Sequence, residues 1–136
     1  MSVNFVAVLA AAIAAWLAGA VWYGVLAKPW MAALGWTEAD MKDASGKRVV
    51  PAVPMVVSFV AELVMAYFLA GLLYHLGGPN PMRGAIAGAL IWAGFVVTSN
   101  AVNNAIQKRT LMLTVIDNGH WLLVLVTMGV VLGLFG

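Results

Sequence analysis

The chain has 136 residues, of which 64% are hydrophobic and 9% charged, with a mean hydropathy of +0.99. A soluble domain is about 45–50% apolar with about 25% charged residues, and one of this size could not cover so much apolar surface; a soluble fold is excluded and a lipid bilayer is the expected partner. A net charge of +2 offers no basic patch for nucleic acid, and the lack of Cys removes disulfides, thiolate metal sites, Cys nucleophiles and attached c-type haem.

The first apolar run covers residues 3–27 and is rich in Ala. A membrane helix needs about 20 such residues. The LAGA stretch ending at Ala20 resembles a cleavage site, but no basic residue precedes it and the run continues to Ala27. It therefore reads as a retained transmembrane helix rather than a signal peptide. The connection at residues 28–53 is polar. Within it, Thr37-Glu-Ala-Asp40 has the pattern of a helix N-cap with an acid at the third helical position. Trp30 and Trp36 flank it and suit a headgroup region, so a short interfacial helix is expected there.

The second span is expected over residues 54–76, with Pro54 tolerated at a helix start. Gly77-Gly-Pro-Asn-Pro81 then reads as a tight turn. The third span covers residues 83–106 and the fourth residues 111–135, separated by only 107–110. The fourth contains Asp117-Asn-Gly-His120, a tetrapeptide that elsewhere would spell a turn. A start near Leu111 places it inside the helix. A start near Gly119 would make Asp117 or Asn118 an N-cap and leave about 17 residues, the short end for a span. The longer version is preferred. The expected fold is all-α: one polytopic domain of four transmembrane helices with a short interfacial helix in the first loop.

Lys28, Lys42, Lys47, Arg48, Lys108 and Arg109 fall on one side of this topology, and Arg83 alone on the other. Positive residues favour the cytoplasm. The expected setting is a bacterial inner membrane, with both termini periplasmic or extracellular.

The polar residues fall toward the same, cytoplasmic half. At about 1.5 Å per residue, Glu62 lies roughly 12 Å into span two, and Asp117 and His120 roughly 9 and 14 Å into span four. Asn100, Asn103 and Asn104 occupy the last turns of span three, and Tyr23 ends the first span beside Trp22. Asn100, Asn103 and Asn104 are spaced as one helical stripe, as are Asp117 with His120 and Ser58 with Glu62. Ionisable groups avoid lipid, so these stripes are expected to turn inward as one layer.

Each of these residues has a functional and a structural reading. Glu62, with no cation at its depth, is either a silent hydrogen-bonded carboxyl or an acceptor for a proton or small cation. Asp117 beside His120 is either a relay or a simple orienting pair for the imidazole. The asparagines read first as interhelical glue. Gly84-xxx-Gly88 and Gly129-xxx-Gly133 are close-packing motifs, serving the bundle or a dimer equally. No catalytic, metal or cofactor residue is assigned. A single His with carboxylates lacks a zinc ligand set, no nucleophile motif accompanies it, and His75 lies near the opposite end of span two from His120.

Asn4 before the Ala-rich span, Trp22-Tyr23-Gly24 near its end, Lys28-Pro-Trp30, Leu34-Gly-Trp-Thr-Glu38 and the Asn-rich end of span three resemble a small bacterial four-helix membrane family, domain of unknown function 1761. The resemblance covers nearly the whole chain. It implies four spans and carries no assigned activity. Two functions then compete. One is an oligomeric transporter or channel linked to protons or a cation, with Glu62, Asp117 and His120 titrating and the asparagines as neutral ligands. The other is a structural or partner-binding membrane protein in which the polar layer is hydrogen-bond glue. A homo-oligomer is expected in the first, since four short helices enclose little volume.

Overall fold

In hydrocarbon a backbone has only protein to bond, so apolar runs of this length resolve into helices. The computed structural model describes residues 3–47 and 52–136. The chain is all-helical, with four helices long and apolar enough to cross a membrane. Helix α1 spans Phe5–Val25, and the Asn4 side chain caps it by accepting from the Val6 and Ala7 amides at 3.1 and 3.2 Å. Helix α2 spans Ala27–Leu34 and closes on Gly35, whose φ of 74° is left-handed. A 3-10 turn follows at Glu38–Met41. Helix α3 spans Ala52–His75. The third crossing comprises α4 (Pro81–Ile91), a π-turn at Trp92–Val96 and α5 (Val97–Ile106). Helix α6 spans Leu111–Leu134.

Two boundaries differ from expectation. The first span ends at Val25 rather than residue 27. Pro29 is the cause: it has no N–H to donate and its ring clashes with the carbonyl four residues back, at Val25. The chain breaks at Leu26 and restarts as α2, which packs against α1 and α6 and buries Met31. The first connection thus holds a true helix before the expected one. The Thr37–Asp40 cap exists as read, with the Thr37 amide donating to the Asp40 carboxylate at 2.6 Å, but it starts only a 3-10 turn. The fourth helix starts at Leu111, where the Thr110 hydroxyl accepts from the Leu113 amide. The Asp117–His120 tetrapeptide is therefore inside the span. Arg48, one of six cations expected on one side, lies outside the described residues.

Helix α6 is the centre of the bundle, with buried residues on every turn from Leu113 to Gly133, whereas α5 has none. It packs on α4 along one side and α1 along another, while α3 leans mainly on α1. Both glycine motifs are consumed inside the chain. A Cβ at Gly84 would collide with the Gly129 carbonyl and the reverse, Gly88 abuts the Leu125 carbonyl, and Gly133 abuts Asn80 and Pro81. On α1 the equivalent thin face is Ala7, Ala11, Ala15 and Gly19, one residue per turn, all buried.

Outside the spans, the Asp43 carboxylate closes a turn by accepting from the Ser45 hydroxyl (2.6 Å), the Ser45 amide (2.9 Å) and the Lys47 amide (3.1 Å). The Ser45 hydroxyl above all, then these amides, hold Asp43 below the usual carboxylate range.

Two outcomes follow from this packing. Gly84→Ala forces α4 off α6 and lowers stability by about 1–3 kcal/mol; thermal melting in detergent measures it, and an unchanged midpoint would place the two backbones further apart. The Asp43 turn is ordered above the unfolded carboxyl value of about 3.9 and loosens as pH falls through its lower folded value. The Ser45 amide resonance, followed down to about pH 2, should shift last after other exposed carboxyls have titrated.

Candidate functional site

The polar tetrapeptide of α6 is read by its neighbours one residue at a time. Successive helical positions differ by about 100°, so four in a row address most of the circumference. Asp117 Oδ1 accepts from the Tyr23 hydroxyl of α1 at 2.6 Å. Asn118, 6% exposed, accepts at Oδ1 from Asn100 Nδ2 at 2.9 Å. Gly119 lies under the Trp22 indole, whose Cζ2 is 2.5 Å from where a Cβ would stand. His120, 6% exposed, fills the notch at Gly19, with Nε2 2.6 Å from that missing Cβ.

Two indoles clamp the same turn through its backbone. Trp22 Nε1 donates to the Ile116 carbonyl at 3.0 Å, and Trp92 Nε1 to the Asn118 carbonyl at 2.7 Å. The π-turn explains how Trp92 and Asn100 reach one residue. In an uninterrupted α-helix, eight positions separate their directions by about 80°. A π-turn absorbs one extra residue, which leaves them within about 20° of each other. Inside the widened segment the Thr98 and Ser99 hydroxyls donate to the Gly94 and Phe95 carbonyls at 3.0 and 2.5 Å. Lower down, Asn104 Nδ2 donates to the Thr114 hydroxyl at 2.9 Å.

His120 is held by stacking, with no hydrogen bond to Asp117. Its ring lies 4.7 Å from Tyr23 and 4.7 Å from Trp121, and its Nδ1 is buried without a partner. The contacts continue outward from Tyr23 to Trp30 at 5.7 Å and from Trp30 to Trp36 at 5.4 Å. A chain of aromatic rings thus links α2 and the loop after it to the buried imidazole.

Glu62 stands apart from this cluster. It is 1% exposed, accepts from Ser58 of its own helix at 2.8 Å, and has no partner for Oε1. The pairing of α1 with α3 fixes its level. Trp16 donates to the Met55 carbonyl at 3.2 Å and meets Phe59 edge-on, while Phe5 stacks on Tyr67. Glu62 therefore lies opposite α1 near Ala12, about seven residues or roughly 10 Å from the Gly19–His120 contact. The expected single layer is two layers. Helix α3 begins at Ala52, before the expected Pro54, which puts Glu62 about 15 Å in, nearer the middle of a ~30 Å core.

Asn103 also departs from expectation. It is exposed on α5 and makes no hydrogen bond among the described residues. Only Asn100 and Asn104, about 40° apart, face α6; Asn103 is turned about 60° from Asn100 on the other flank. Asn118, Trp22 and Trp92 are the participants that the sequence reading did not include. Their signal was the indole itself, since a buried Trp N–H needs an acceptor. For metal chemistry, Asp117, Tyr23 and His120 are the nearest donors to one another, and among the described residues no three His, Cys, Asp or Glu side chains gather.

In comparisons with known proteins, the family model described as Protein of unknown function (DUF1761) matches residues 6–133. No curated protein and no solved structure matches.

The Tyr23–Asp117 bond has a measurable value. Tyr23→Phe combined with Asp117→Ala in a double-mutant cycle should give a coupling of about 0.6–1.7 kcal/mol, the range for interhelical hydrogen bonds in a bilayer. Additive melting shifts would mean that the two groups do not meet.

Proposed function

The chain belongs to this family of unknown function, and for a member with four membrane-compatible helices we propose the role of a small multi-pass membrane protein whose polar residues lock its helices in register and whose outer faces meet a second copy or a membrane partner. The observation that carries the reading is the direct 2.6 Å bond from Tyr23 to Asp117, joining the first span to the last. Asn100 with Asn118 and Asn104 with Thr114 repeat the pattern between the third and fourth. These groups satisfy one another side chain to side chain, which is the behaviour of glue. A homo-oligomer is supported by α5, which exposes Asn103 on a membrane-compatible helix while the outward faces of α1 and α3 are apolar. An amide there gains from a second chain's amide, since lipid offers no partner. The charge pattern supports an inner membrane with the end carrying Lys28, Lys108 and Arg109 toward the cytoplasm and both termini outside.

The unpartnered Oε1 of Glu62 favours one further reading, that of an acceptor for a proton or small cation in an oligomeric transporter or channel. The two readings separate in proteoliposomes. Under the first, wild type and Glu62→Gln show the same background proton leak, and Tyr23→Phe lowers the melting temperature. A wild-type flux above background that Glu62→Gln abolishes would replace the first reading with the second.

A further inference from the structure

Helices α3 and α4 share a short turn but lean on different partners, α3 on α1 and α4 on α6. Between them lies a groove of about 570 Å³. Its walls are Met65, Leu69 and Leu72 of α3 and Ile91 of α4, and Leu125 of α6 forms its floor. Leu125 is 2% exposed, so the groove reaches the core of the bundle.

Two features set it apart from an ordinary lipid-facing surface. The first is Gly71, midway along the α3 wall. A Cβ there would meet nothing within 4 Å. Glycine inside a helix costs about 1 kcal/mol relative to alanine, and no neighbour in the chain requires it here, unlike Gly84 or Gly19. The missing side chain leaves width for something outside the chain.

The second is charge at one end. His75 lines the groove where α3 stops. Arg83 is the one Lys or Arg between residues 54 and 106. It follows the same α3–α4 turn and lies two turns before Ile91 on one stripe of α4 (83, 87, 91). Its guanidinium rests 3.7 Å from the Cβ position of Gly77, and Nη1 donates to the Gly78 carbonyl at 2.5 Å. A guanidinium has five N–H donors, and the others meet no side-chain or backbone acceptor among the described residues. An apolar trough that ends at a guanidinium with spare donors matches an acyl chain joined to a phosphate.

We propose that the α3–α4 groove is a binding site for one anionic phospholipid, with an acyl chain against Gly71, Ile91 and Leu125 and the headgroup phosphate on Arg83 beside His75. The bilayer supplies the ligand. The lipid covers floor residues that the chain leaves open and takes up the donors that Arg83 does not use internally.

Native mass spectrometry of the full chain, released from detergent containing equal phosphatidylglycerol and phosphatidylcholine of the same chains, tests this. Wild type should retain one lipid, with phosphatidylglycerol favoured by about tenfold, the size of one charge-assisted contact. Arg83→Gln should bring that preference to about onefold while a lipid still binds. Gly71→Phe, placed in open space and so compatible with folding, should reduce the one-lipid species of both headgroups by about fivefold or more. Excess inorganic phosphate should not displace the lipid, because the acyl chain holds it. Equal retention of the two lipids by wild type, a lipid species indifferent to Gly71→Phe, or displacement by phosphate alone would each overturn the proposal.

Discussion

Helix α6 can occupy the centre of the bundle only because its neighbours reach its backbone. At Gly84 and Gly129 the two main chains touch with no side chain between them. That approach lets α4 run closely along α6, which brings Trp92 within reach of the Asn118 carbonyl. On the opposite flank, Gly119 accepts the face of Trp22 and Gly19 accepts His120. Adding a methyl group at any of these points would separate the helices before the polar side chains could meet. The polar contacts are therefore a consequence of close packing, and they fix which residue faces which once the helices are together.

The buried polar groups divide into two kinds. Asp117, Asn118, Asn104 and the two indoles have partners on other helices, within reach of the α6 tetrapeptide or the turn before it. Glu62 and His120 each keep a buried atom without one. A buried polar atom without a hydrogen bond costs free energy that the rest of the fold must offset. Glu62 is the sharper case, since its only partner, Ser58, comes from its own helix and joins it to nothing else.

Much of the architecture was legible in the sequence because length and hydropathy are additive properties. Four apolar runs became four crossings, and the Asn4 and Thr110 caps sit where local chemistry puts them. The break at Leu26 was also readable in principle, since Pro29 forbids the bond back to Val25, but the apolar run conceals it. The π-turn was not readable. Nothing in Trp92–Val96 marks it, and it depends on contacts with α6. Its effect reached the site reading: Asn100 and Asn104 face the bundle, and Asn103 does not. The shared depth of Glu62 and His120 failed for a different reason. Counting residues from uncertain helix ends carries errors comparable to the layer spacing, whereas the pairing of Trp16 with Phe59 and Gly19 with His120 sets the levels directly.

The widened turn in the third crossing also sets where the chain tolerates a change of length. Removing one residue between Trp92 and Val96 would convert that segment to ordinary α-helix and leave everything after it pointing as before. Removing a residue anywhere else between Pro81 and Ile106 would rotate the downstream half by about 100° and carry Asn100 away from its partner. Length variants of this protein should therefore have their gap within those five positions, with the asparagine that follows kept in phase.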